Sequence, residues 1–224
     1  MKKFQTLVAE ISRRSSLSRL LLNTISEIEI SRIFKKIGKS DVLIDIGGHR
    51  NARTSVGSKK TISVNHPSVK DADFFCDFND PGSLKSIEKN ISGDVVCFET
   101  IEHLRDSRLL FDLFQNVVPG GGLLCISAPF IFHEHLDPED NFRYTRSYMI
   151  RELQYRNFSL VEEFYRGGNL ITILSILEHS CSGKLSKFII KLTGYVACFP
   201  YVLLSKYKNP SKYTTGFVLV FRKQ

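Results

Sequence analysis

The sequence predicts an α/β fold: an open sheet of about seven strands, mostly parallel, with helices on both faces. Three observations predict it. Short apolar runs of strand length recur along the chain, helix-like segments fall between them, and Pro and Gly residues close those segments. Strand and helix in alternation imply parallel pairing, since each parallel crossover needs a covering segment.

The elements follow in order. Residues 1–38 are expected to form a helical extension. In "SSLSRLLLNTISEIEISRIFKKIG" the apolar residues Leu17, Leu20, Leu21, Ile25 and Ile28 share a helical face, basic residues fill the last turn, and Gly38 ends it. The main domain then spans 39–224. Its strands are "VLIDIG" at 42–47, "TISVN" at 61–65, "ADFFC" at 72–76, "DVVCF" at 94–98 and "LLCIS" at 123–127. The segment "SRLLFDLFQNVVPGGG" reads as a helix closed by Pro119 and three glycines. Thr145 is placed to cap a further helix, "RSYMIRELQYRN". The runs "FSLVEEFYRG" and "TTGFVLVFRKQ" are the last two strands, and the helical stretch 169–210 between them reads as a lid or insertion.

Composition bounds the function. The chain has 224 residues, 42% apolar and 24% charged, which suits one domain with additions and a proper core. A net charge of +8 favours acidic partners such as anionic lipid headgroups or phosphorylated substrates. Basic residues are spread along the chain without an aromatic–basic signature, which argues against nucleic acid. Five cysteines without CxxC spacing argue for a reducing compartment and no structural zinc. The N-terminal "MKKFQTLVAEISRRSS" lacks the apolar core of a secretory signal, so a cytoplasmic location is expected. Near the other end, Leu185, Phe188, Ile189, Leu192, Val196 and Phe199 lie on one helical face, with Lys184, Lys187 and Lys191 on the other. Such a segment (184–208) either packs across the sheet as a lid or lies on an anionic membrane surface.

In open α/β sheets ligands sit beyond the carboxyl ends of the strands, where strand order reverses. That rule singles out 45–51, 65–67, 77–80, 99–103 and 128–145. The last two carry an ordered set of groups: Glu99, Glu102 and His103; Pro119, Gly120 and Gly121; Pro129 and Phe130; then His135, Asp137, Pro138, Asp140, Arg143, Tyr144 and Thr145. With this set the stretch 41–168 resembles class I S-adenosylmethionine-dependent methyltransferases. It is most similar to a type 11-like bacterial group that modifies surface glycans and small molecules.

The resemblance implies a Rossmann-like fold of seven strands, with "GFVLVFRK" as the antiparallel last one. It implies S-adenosyl-L-methionine as cofactor, held by Asp45, Gly47, Gly48, Asn65, Asp77, Phe78 and Glu99. It further implies a small-molecule or glycan acceptor whose hydroxyl proton goes to His135 or His103. Tyr144 is expected to face the acceptor beside His135, Asp140 to pair with Arg143, and Asp137-Pro138 to make a turn. In some relatives a Glu-x-x-Glu-His spacing binds a divalent ion; here Glu102 and His103 are read instead as capping the next helix, with no metal. Departures fall at the front, where His49 and Asn51 replace two glycines and Asn65 replaces an acidic residue. Asn65 can accept one ribose hydroxyl but lacks charge, at about 1 kcal/mol less affinity. The rival expectation is a catalytically silent binding protein of the same fold.

Overall fold

The computed structural model describes residues 40–48, 60–136, 139–166, 168–183 and 213–224, with isolated positions between 186 and 193. The helix expected over 1–38, the loop residues His49 and Asn51, the Asp137-Pro138 turn and most of the stretch 184–208 lie outside the described residues.

Along the chain the described elements are β1 (Val42–Ile46), β2 (Lys60–Asn65), β3 (Phe74–Phe75), α1 (Pro81–Glu88), β4 (Asp94–Phe98), a 3₁₀ turn (Ile101–His103), α2 (Ser107–Val117), β5 (Leu123–Pro129), α3 (Arg146–Tyr155), β6 (Phe158–Tyr165), α4 (Asn169–Ser180) and β7 (Gly216–Lys223). They build one seven-stranded sheet in the order β3-β2-β1-β4-β5-β7-β6. Neighbours from β3 to β5 pair in parallel, whereas β7 runs antiparallel to both β5 and β6. Strand order therefore reverses between β1 and β4, and the carboxyl ends of those two strands bound the crevice where a ligand is expected.

The central strands are apolar because both faces are covered. Ile44, Ile46, Val95, Cys97, Leu124 and Ile126 face one way, into a core shared with α1, α2 and α3. Leu43, Val96, Leu123, Cys125, Val218 and Val220 face the other way and are fully buried too.

Helix α2 shows how the sequence sets one element. Asp106 accepts from the Arg108 amide at its N-terminus, and Leu110, Phe111, Phe114 and Val117 repeat at helical spacing and are fully buried. Each buried phenylalanine contributes about 2–3 kcal/mol. At the other end the Lys223 amine donates to the carbonyls of Val118, at 2.8 Å, and Gln115, neutralising the negative pole of the helix. Gly121 then turns the chain with φ +77°. Thr145 caps α3, as expected, by accepting from the Tyr148 amide at 3.2 Å.

Candidate active site

The crevice begins at the end of β1. Asp45 is 1% exposed, and the chain leaves the strand through Gly47, whose φ of +77° favours glycine. Two contacts require both residues here to lack a side chain. A Cβ on Gly47 would stand 2.1 Å from the Thr100 hydroxyl, and a Cβ on Gly48 would stand 2.1–2.4 Å from the Asp45 carboxylate. The backbone thus passes directly beneath a buried carboxylate at the mouth of the sheet. This cradle sets a carboxyl group against a bare stretch of main chain, an arrangement that suits a cationic amine.

Asn65, at the end of β2, spends its amide inside the protein. Its Nδ2 donates to the Gly48 carbonyl at 3.1 Å and its Oδ1 accepts from the His66 amide at 2.8 Å. Expected to pair a ribose hydroxyl, it braces the loop after β1. Asp77 accepts from the Asn79 amide at 2.9 Å, closing a turn before α1, whereas Phe78 is buried in the core.

Beyond β4 the expected group divides. Glu99 takes left-handed backbone (φ 51°), and its carboxylate meets Arg166 at 2.6 Å and the Ser127 hydroxyl at 3.1 Å. Glu102, one 3₁₀ turn further on, points elsewhere and caps nothing; Asp106 is the helix cap. Its side chain is fully buried, with no hydrogen-bond donor from another described residue reaching either oxygen. Burial first, and the nearby Glu99 charge second, push the Glu102 carboxyl up to about 8.

Two histidines face it. His103 Nδ1 lies against the Glu139 carbonyl, and His135 Nδ1 lies 3.1 Å from an Asp140 carboxylate oxygen. The His135 Nδ1 hydrogen bond goes to the His133 carbonyl at 3.4 Å. Carbonyls only accept, so both Nδ1 atoms carry a proton, and in the neutral rings both Nε2 atoms keep a lone pair. Each Nε2 is 3.8 Å from the same Glu102 oxygen, and the two rings meet edge-on with centroids 5.2 Å apart.

The supports of this trio are themselves fixed. Asp140, as expected, binds Arg143 through two contacts of 2.5 and 2.6 Å, which hold its carboxyl well below the usual carboxylate range; it also accepts from the His135 amide. Glu139 is gripped by Arg105, and Phe132 and His133 pack against His179 of α4, with the His133 and His179 rings stacked at 3.9 Å. Tyr144 does not join the trio. It is buried and stacks on Tyr148 at 5.6 Å. A groove of about 540 Å³ lies alongside, near Arg105, Arg108 and Arg143, each of which already pairs with a carboxylate.

Sequence reasoning missed Thr100, Arg166 and the carbonyl of Glu139. Arg166 sits at the end of β6 and carries no local signature; Thr100 becomes visible only through its contact with Gly47.

No family model matches the chain, and no curated protein does. Solved structures are similar. An S-adenosylmethionine-dependent methyltransferase from Clostridium acetobutylicum is 10% identical with a TM-score of 0.54, over 88% of this chain and 90% of that one. A SAM-dependent methyltransferase from Archaeoglobus fulgidus is 16% identical with a TM-score of 0.54, over 89% and 94%. A phosphoethanolamine N-methyltransferase of Haemonchus contortus, solved with S-adenosylhomocysteine, is 14% identical with a TM-score of 0.50, over 88% of this chain and 52% of that one. The seven-stranded order with its antiparallel β7 and these likenesses together show that the chain has the Rossmann-like fold of class I S-adenosylmethionine-dependent methyltransferases.

Proposed function

We propose that the protein is an S-adenosylmethionine-dependent methyltransferase acting on a hydroxyl of a sugar or another small acceptor. The cradle at Gly47 and Gly48 beneath the Asp45 side chain carries the reading, because it places a buried carboxyl group over bare backbone at the strand-order reversal. Asp45 would receive the amino group of the cofactor, and the main chain of Gly47 and Gly48 would lie against it. Asp77 would stand at the adenine end. S-adenosylmethionine supplies an electrophilic methyl group on sulfonium. The protein's share is then alignment and removal of one proton.

The proton falls to the cluster after β4 and β5. In its neutral form His135 presents Nε2 with its lone pair, because the His133 carbonyl and the nearby Asp140 carboxylate, held by Arg143, keep the proton on the other nitrogen. His103 presents its Nε2 in the same way from the 3₁₀ turn. Both rings reach solvent, at 16% and 26% exposure, so an acceptor can approach them. A type 11-like enzyme working on glycans agrees with the ordered residues from Glu99 to Thr145, and that finer assignment is part of the proposal.

Calorimetric titration with S-adenosylhomocysteine tests the reading. One site per chain is expected, with affinity at least about tenfold weaker after Asp45→Ala. No heat at about millimolar ligand would reduce the protein to a silent member of the fold.

A further inference from the structure

Methyl transfer needs one proton acceptor, yet three groups converge and Glu102 has no part in that step. We propose that Glu102, His103 and His135 form a site for one borderline divalent ion of the first transition row, such as Zn²⁺. One donor atom from each residue lies within 4.8 Å of the others. Each imidazole Nε2 stands 3.8 Å from the same Glu102 oxygen, too far for a hydrogen bond. Two ligands at ~2.1 Å from one tetrahedral ion are ~3.4 Å apart, so each Glu–His pair closes by a few tenths of an ångström, and the two imidazole nitrogens, within 4.8 Å of each other, close by at most ~1.4 Å.

The outer partners point the same way. A histidine that binds a metal through Nε2 commonly donates Nδ1–H to a carbonyl or carboxylate, which fixes ring and tautomer. His103 does so to the Glu139 carbonyl and His135 to the His133 carbonyl at 3.4 Å, with the Asp140 carboxylate, itself held by Arg143, 3.1 Å from the same nitrogen. The Glu102 carboxylate is fully buried, and no donor from another described residue reaches it. A buried carboxylate needs a partner, and a cation between two neutral imidazoles would be one. Two imidazoles and one carboxylate suit the borderline ions better than Mg²⁺ or Ca²⁺. Glu99 is not a ligand, since Arg166 and Ser127 hold its carboxylate. With three protein ligands and both rings partly exposed, the ion would keep an open position, as catalytic sites do. With the ion bound both Nε2 lone pairs are taken, so the ion in place of the imidazoles would acidify an acceptor hydroxyl, whose proton would leave to solvent; that role rests on the methyl-transfer reading, and binding of the ion does not.

The test uses the full chain, stripped with a chelator and dialysed against Zn²⁺ alone, with no nucleoside present. About one tightly held Zn²⁺ per chain is expected in the unaltered protein beyond what His135→Ala retains. His135→Ala should weaken that binding at least about tenfold, and Asp140→Asn, which touches no metal, by about tenfold. His66→Ala removes an exposed histidine bonded to Ser68 and should change nothing. If His135→Ala lowers the metal-free melting temperature, His135→Asn takes its place in the comparison. Equal Zn²⁺ in the unaltered protein and the His135 variant overturns the site. Because S-adenosylhomocysteine is absent, that result would leave the cofactor titration untouched, and failure of the titration would leave the ion site standing.

Discussion

Gly48→Ala is the sharpest perturbation the cofactor cradle offers. An ideal Cβ at this position stands 2.1 Å from Asp45 Oδ2, 2.2 Å from Cγ and 2.4 Å from Oδ1. Ordinary contact begins at 3.4 Å, so the carboxylate must retreat by about an ångström. It has no free direction, being 1% exposed between paired strands. The backbone of Gly48, unlike that of Gly47, lies outside the left-handed region, so alanine strains no dihedral and acts through the carboxylate. Displacing one charge-assisted hydrogen bond forfeits about 1.5–3 kcal/mol. The Kd for S-adenosylhomocysteine should therefore rise by about 10- to 150-fold. Calorimetry on both proteins, at a temperature where circular dichroism shows both folded, reads this directly. A Kd within about threefold of the unaltered protein would mean that the Asp45 carboxylate takes no part in holding the ligand.

Two further outcomes concern stability. The Glu102 carboxyl is raised to about 8 by burial and by Glu99, so the folded state binds a proton that the unfolded chain releases above its ordinary value of 4.5. Its contribution is fully present below the unfolded pKa and is lost as pH rises towards the folded one, at about 1.4 kcal/mol per pH unit. In chelated buffer Glu102→Gln should gain on the unaltered protein by about 3 kcal/mol between about pH 5.5 and 7.5, read from urea midpoints. A gap that stays flat would show an ionised Glu102 in the folded state. Asp106→Ala removes the acceptor for the Arg108 amide at the start of α2 and should cost about 1 kcal/mol, with no effect on ligand affinity. An unmoved urea midpoint would show that this cap contributes nothing.

The strands were legible because burial on both faces writes a continuous apolar run, as in "DVVCF" and "LLCIS". Helix α2 was legible for the opposite reason, a one-sided repeat from Leu110 to Val117. The third strand contracts to Phe74–Phe75, since an edge strand pairs with only part of β2. Helix α1 carries only two buried apolar residues, Leu84 and Ile87, and its one strong signal is the Asp80-Pro81 start. At the site, residue types were legible and partners were not. Glu99 and Glu102 look like a pair three residues apart, yet the left-handed turn at Glu99 sends their carboxylates to different neighbours. The pairing of Asp140 with Arg143 follows from local spacing, but that of His135 with His103 joins two loops and has no sequence period to announce it. Nor could a pattern show that Asn65 is consumed by the Gly48 carbonyl.

Crystals grown with S-adenosylhomocysteine would examine the cradle most directly. The amino group of the ligand should lie about 3 Å from the Asp45 carboxylate, with its chain over Gly47 and Gly48 and adenine towards Asp77. Ligand density seated away from the end of β1, with the carboxylate turned from it, would contradict the assignment of this crevice.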